Sequence, residues 1–263
     1  MQPFVPTVRP MRNFSLFRLT LAALTAMFLI TACAGNPNAL WQIVHNSCEP
    51  AARGADVPQK CIDVDAVQGY AVLKDLNGIA QYLLIPTKRI GGIESPDLLA
   101  ADSPNYWRAA WDARRFVNAK LGEELPRDEV SLAINSTSGR SQNQLHIHID
   151  CLAPDVVAAL REQGPKIGTQ WTTFPTRLRG HAYKIIRIDD PTLASVDPFK
   201  LLAANIAREG GSMADQTLLL TGTTTPDGKP AFFLLNDHVR LAQGDFASSE
   251  ELQDYSCAIA RKH

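Results

Sequence analysis

The sequence has no long run of basic residues. Lys and Arg total 26 against 27 Asp and Glu, a formal net charge of −1. The electrostatic footprint of a nucleic-acid binder is therefore missing. There is no low-complexity tract, which argues against disorder. Histidine is scarce, at six residues, and so is cysteine, at five. The spacing of neither fits a zinc finger. What remains is 263 residues, 45% hydrophobic and 20% charged, enough for one large or two small globular domains.

Long apolar runs are missing too, with one exception. Arg9, Arg12 and Arg18 precede residues 19–33, an uncharged run rich in Leu, Ala and Thr. A basic region followed by such a run reads as an export segment. It falls short of the roughly 20 apolar residues of a comfortable transmembrane helix. Phe14, Leu16 and Phe17 upstream could extend it into a spanning anchor. The run ends Ile30-Thr31-Ala32-Cys33, which resembles a bacterial lipobox with Cys33 as the lipidated residue. Both readings stay open, and both tether a domain to a membrane on its exported side. The expected location is the cell envelope, at the inner membrane facing the periplasm. Residues 34–40 then form a linker, and residues 41–263 the exported domain.

Setting Cys33 aside leaves Cys48, Cys61, Cys151 and Cys257, an even number that suggests bridges in an oxidising compartment. Of the three connectivities, Cys48–Cys61 with Cys151–Cys257 is preferred. The first closes a short Pro-rich loop, and the second ties the middle of the chain to its C-terminal segment. Buried free thiols are the alternative.

The pattern predicts a helix starting at residues 41–45 and strands over 69–74 and 81–86. Asn77-Gly78 between those strands is a strong hairpin signal. Residues 106–120 read as one amphipathic helix closed by Gly122, residues 130–134 as a strand, and residues 154–163 as a helix with Pro at its start. Beyond lie an edge strand or loop at 171–179, a strand at 181–188 and a helix at 198–208. Strands at 217–221 and 231–235 flank a turn, and a capped helix is expected over 248–262. The hairpins 69–86 and 217–235 invite comparison. The half at 41–165 would then have a related second half at 166–263.

The chemistry concentrates in residues 144–150, Gln-Leu-His-Ile-His-Ile-Asp. Period-two alternation with three Leu or Ile residues reads as a half-buried strand. Gln144, His146, His148 and Asp150 then share one face, and Leu145, Ile147 and Ile149 the other. Two of six histidines stand side by side, just after a polar loop with Gly139 and Arg140. Three readings compete. The histidines could be satisfied core residues. They could be metal ligands with Asp150, and His181 as a further donor. Or one could be a nucleophile at phosphorus, since neutral imidazole is available near pH 7. The preceding loop would then spread charge on phosphate oxygens through backbone N–H groups and an Arg fork. Asn135, Arg140, Ser141 and Asn143 are candidate substrate-binding residues, with turn-capping or a solvated turn as the alternatives. Lys74 is a further candidate whose alternative is a surface charge, the same reading given to Lys88 and Arg89. His45, His238 and His263 look incidental.

The stretch 144–149 resembles the histidine-triad motif, His-φ-His-φ-His-φ-φ with φ apolar. Three wider segments resemble the bacterial CDP-diacylglycerol pyrophosphatase family: GYAVLKDLNGIAQYLLIPTKRIGGIESP at 69–96, SLAINSTSGRSQNQLHIHIDC at 131–151 and LRGH at 178–181. The resemblance implies an α+β fold with an antiparallel sheet and flanking helices, similar to the histidine-triad fold. It implies hydrolysis of CDP-diacylglycerol in the bilayer to CMP and phosphatidate, without metal or other cofactor. His146 matches the nucleophile, which would form a cytidylyl-histidine. His148 matches the third histidine, in contact with phosphoryl oxygens. Arg179 and His181 match as substrate-binding residues. The departure is Gln144, also a candidate substrate-binding residue, where the motif has its first histidine. Gln keeps a donor and an acceptor but cannot become a cation. Two other functions stay open: a nucleotidyl hydrolase or transferase acting on soluble CDP-alcohols or nucleotide sugars, and a non-catalytic metal-binding envelope lipoprotein.

Overall fold

Strands rich in Val, Ile and Leu dominate the chain and pair into one antiparallel sheet. A computed structural model describes Met1 and residues 35–260. The export segment with Cys33, and His263, lie outside the described residues. No helix among the described residues is long and apolar enough to cross a membrane. The strands are β1 (Asp63–Asp65), β2 (Tyr70–Lys74), β3 (Tyr82–Pro86), β4 (Val130–Ile134), β5 (Ile147–Cys151), β6 (Thr172–Thr173), β7 (Lys184–Ile188), β8 (Gln216–Thr224) and β9 (Pro230–His238). Their order in the sheet is β1-β2-β3-β5-β4-β8-β9-β7-β6.

Alternation divides the side chains between two faces. On one face Leu84, Leu132, Ile147, Ile149, Leu220, Phe232 and Ile186 meet three helices. These are α3 (Tyr106–Ala113), α4 (Arg115–Leu121) and α6 (Pro198–Glu209). The opposite face is covered in two separate patches. Leu83 and Ile85 pack under α1 (Ala39–Ile43), Val44 and the Cys48–Cys61 bridge, whose loop holds the short α2 (Glu49–Ala52). Leu219, Phe233 and Leu235 pack under α5 (Pro154–Gln163) and Phe174. His148 and Asp150 belong to the strand between these patches. Both expected disulfides are formed, the second between Cys151 and Cys257.

Three elements depart from the pattern. Residues 106–120 are two helices, because Arg114 turns back on its own helix. Its Nη1 donates to Trp111 O at 2.7 Å and its guanidinium lies 4.5 Å from the Trp111 ring. That takes the carbonyl a continuing helix would use, and neither Gly nor Pro marks the spot. The expected final helix is only a 3-10 turn, Ser249–Leu252. Its backbone is spent on the sheet instead: Asp254 N donates to Cys151 O at 3.0 Å, and Tyr255 O accepts from Ile79 N at 2.8 Å. Cys257 adopts φ 45°, held by its bridge. The His strand begins at Ile147, one residue after His146, and is buried on both faces rather than half-buried.

Candidate active site

The polar face of β5 opens into a cavity of about 700 Å³. Its polar lining includes His146, His148, Asn135, Arg140, Glu250 and Tyr255. Its apolar lining is Leu40, Ile43, Leu73, Leu76 and Leu83. A separate hollow near Arg127 and Arg161 contains neither histidine.

Three segments position the histidines. Leu145 N donates to Ile90 O at 2.7 Å, which brings the chain against the segment after β3. His146 Nδ1 then donates to Gln144 O at 2.7 Å. A carbonyl only accepts, so the proton is on Nδ1 and the Nε2 lone pair is free. His148 follows two residues on, its ring 4.8 Å from that of His146 and tilted edge-to-face. Burial pushes the pKa of His146 below the ordinary imidazole value, against the raising effect of the Gln144 carbonyl. Burial likewise pushes His148 down to about 4, although Glu250 and Asp75 pull the other way. Both rings are thus neutral near pH 7, the form in which imidazole is a nucleophile.

Glu250 is the residue that sequence reasoning missed. Its Oε1 stands 3.3 Å from His148 Nδ1, without the alignment of a hydrogen bond. Neither nitrogen of His148 makes a hydrogen bond, and both are fully buried. Asp75 Oδ2 lies further off, at 3.9 Å. Asn135 Nδ2 donates to Glu250 Oε2 at 2.9 Å, and Tyr255 OH and Gln81 Nε2 donate to Oε1. Burial alone would raise this carboxyl. His148 and the three donors outweigh that and hold it below its ordinary value. Glu250 had read as the acidic first turn of a helix. The signal that could have placed it is Cys257, seven residues on and bridged to Cys151.

The remaining candidates separate. Gln144 is fully buried. Its Nε2 donates to Pro86 O and Lys88 O, both at 2.9 Å, and its Oε1 accepts from Ile90 N at 3.3 Å. Its side chain therefore splints the neighbouring segment, while its backbone carbonyl orients His146. Arg140 reaches the cavity as half of a two-pronged ion pair, with Nη1 and Nη2 at 2.6 and 2.7 Å from the Glu94 carboxylate. Gly92 makes room for it, since a Cβ there would lie 2.0 Å from Nη1. The loop before the strand is fixed at Gly139, whose added Cβ would meet Ala247 O at 2.9 Å. Ser141 lines the cavity. Asn143 is exposed, and its backbone N donates to Pro37 O at 2.6 Å. Lys74 lines the cavity but ties its hairpin, with Nζ 2.8 Å from Asp75 O and 2.9 Å from Gly78 O. Arg179 and His181 are not among the residues lining this cavity. Arg179 pairs with Asp155 at 2.7 Å, and His181 Nδ1 lies 2.7 Å from Glu251.

For the metal reading, the three-ligand clusters among the described residues lie elsewhere. One is Asp150 with Cys151 and Cys257, whose sulfurs are bonded to each other. The other is His181 with Asp237 and Asp245, where Arg240 Nη2 already sits 2.7 and 2.6 Å from the two carboxylates.

A sequence profile described as CDP-diacylglycerol pyrophosphatase matches residues 35–261. The chain belongs to the CDP-diacylglycerol pyrophosphatase family. A relative with that name from Yersinia pestis is 42% identical over 248 residues, 94% of this chain and 95% of its own. The family match covers both histidines, the C-terminal segment with Glu250 and both disulfides, so the whole cavity falls within it.

Proposed function

We propose that the chain carries out its family's reaction, hydrolysis of the pyrophosphate bond of CDP-diacylglycerol, at the His146 cavity. The observation that carries this reading is the orientation of His146. With Nδ1 held by Gln144 O, the Nε2 lone pair belongs to a neutral imidazole lining the cavity. Nε2 attacks the phosphorus attached to cytidine and the P–O–P bond breaks. Phosphatidate leaves with the bridging oxygen, and a cytidylyl-histidine remains. The leaving group is a phosphomonoester with a second pKa of about 6, so it needs little protonation. Water then attacks the same phosphorus, releasing CMP and regenerating His146. Splitting one displacement into two is ordinary covalent catalysis. His148 contacts the phosphoryl oxygens, and Glu250 stands where it stabilises an imidazolium as charge develops. Asn135, Ser141 and Arg140 border the phosphates. No metal enters these steps.

The finer fold reading is a histidine-triad-like unit with a related second half. Its support is the strand order. Both β2-β3-helix-β4-β5 and β6-β7-helix-β8-β9 are hairpin, helix, hairpin, and the two sets meet at β4 and β8 in mirrored order. The sequence comparison had paired the first hairpin of one half with the second hairpin of the other. The membrane tether rests on residues 19–33, and the two disulfides suit an exported, oxidising location.

The test uses CDP-diacylglycerol labelled on the cytidylyl phosphate. Acid-labile label should appear on quenched protein and vanish, with CMP release, in His146→Ala. Label retained in that variant would remove His146 as nucleophile. Activity lost to a chelator and restored by zinc would instead favour the metal reading.

A further inference from the structure

We propose that the apolar lining of the cavity and the tip of the β2–β3 hairpin form a bilayer-docking surface that admits the diacylglycerol end of the substrate. This rests on the site reading above. Three observations lead to it. First, the cavity is mixed. Beside the nucleophilic imidazole and its polar neighbours, its lining includes Leu40 and Ile43 of α1 and Leu73 and Leu83 of the hairpin strands, Leu83 being the cross-strand neighbour of His148. Four aliphatic side chains offer an acyl-glycerol end apolar surface to bury.

Second, Leu76 lines the cavity yet is fully exposed at the hairpin tip, and Ile79 beside it is about half-exposed. The hairpin does not need Leu76 for its own packing. Its turn is held by Lys74 Nζ on the carbonyls of Asp75 and Gly78. Lys60 also lines the cavity and is exposed. Aliphatic tips beside lysine stems match an acyl boundary under anionic phosphates.

Third, the chain enters this unit at the rim of the same cavity. Ala39 lines it. The entry is fixed by Pro37 O accepting from Asn143 N at 2.6 Å and by Leu40 N donating to Gln142 Oε1 at 3.1 Å. The apolar run 19–33 ends only six positions before Ala39. Fully extended, that stretch spans about 20 Å. An anchor on so short a lead can hold this rim at a membrane surface but cannot hold a distant face there. The occupant is therefore a phospholipid surface.

The experiment uses the full chain with two substrates, long-chain CDP-diacylglycerol in phosphatidylcholine–phosphatidylglycerol vesicles and a dihexanoyl analogue below its aggregation limit. CMP is followed for both, and the readout is the ratio of kcat/KM on vesicles to kcat/KM on the soluble analogue. Leu76→Asp should lower that ratio about tenfold, the scale set by one buried aliphatic side chain. Val67→Asp is the control. Val67 is equally exposed but sits in the turn between β1 and β2, at the other end of β2. It should leave the ratio within about twofold, a spread typical of an exposed substitution far from the contact. An unchanged ratio in Leu76→Asp overturns the docking surface, whether or not overall activity falls. So does an equal drop in Val67→Asp, which would reflect added negative charge alone. Failure of the underlying site reading looks different: His146→Ala would keep its turnover on both substrates.

Discussion

At His148, two carboxylates oppose burial. Glu250 and Asp75 raise the imidazole pKa while burial lowers it further, leaving it at about 4. Removing the Glu250 charge should therefore move the acid limb of the kcat profile to lower pH. Glu250→Gln should also lower kcat by about 10²-fold, the scale of losing one electrostatic stabiliser, with KM little changed. A profile that does not move would show that Glu250 acts only as a prop for Asn135 and Tyr255. Asp150, on the same strand face, behaves in the opposite sense. Burial raises its carboxyl to about 8, with Asp254 adding to the rise, and its Oδ2 is buried without a hydrogen-bond partner. The folded state then holds a proton that the unfolded chain releases near pH 4. This contribution to stability is complete below about pH 4 and is lost as pH rises through about 8, by up to about 1.4 kcal/mol per unit. Asp150→Asn should flatten that decline, gaining more in Tm at pH 8.5 than at pH 5 by thermal melts. Gln144 shows what could be read at this scale. Its place in the motif was legible. Its use was not, because three side-chain bonds to Pro86, Lys88 and Ile90 depend on a segment more than fifty residues away.

The C-terminal segment is the element that completes the cavity. It carries Glu250 and Tyr255, and its hold on the sheet runs through Gln253, Asp254 and the Cys151–Cys257 bridge. Gln253 Nε2 donates to Ser131 O and His148 O at 3.2 and 3.3 Å. The bridge closes a loop with a sequence separation of 106. Loops of that length are worth about 4–5 kcal/mol in the chain-entropy account, and measured losses run about 2–5. The paired variant Cys151→Ser, Cys257→Ser should lower Tm and should lose activity before it loses helix signal, since Glu250 is displaced first. Equal loss of both would place the bridge in the global fold alone. Capping residues and acidic charge made this segment look helical. That local preference yielded to a disulfide and to hydrogen bonds with strand ends, and neither is visible in a window of fifteen residues. The strands were legible because burial on both faces selects Val, Ile and Leu however the helices fall.

Among the described residues, nine strands form one antiparallel sheet, the set β2–β5 meeting the set β6–β9 at β4 and β8, with β1 added at one edge. In the second set, His181 precedes β7 and His238 ends β9, and neither lines the cavity. On β9, Phe233 and Leu235 occupy the face that bears His148 on β5, and they are buried among Leu219, Val157 and Tyr183. The labelled intermediate should therefore reach no more than one cytidylyl group per chain. Two would show that the second set retains a nucleophile. The cavity draws on residues from 39 to 255, so neither set alone supplies it.

Synthesis proceeds from the N-terminus, and the parts of this cavity emerge in a fixed order. The imidazoles come mid-chain, whereas Glu250 and the cysteine that secures its segment come more than a hundred residues later. A chain still being made has a histidine without its carboxylate neighbour. The bridge between Cys151 and Cys257 thus comes late, and the cavity is complete only after the segment carrying Glu250 has been made and joined to the His strand.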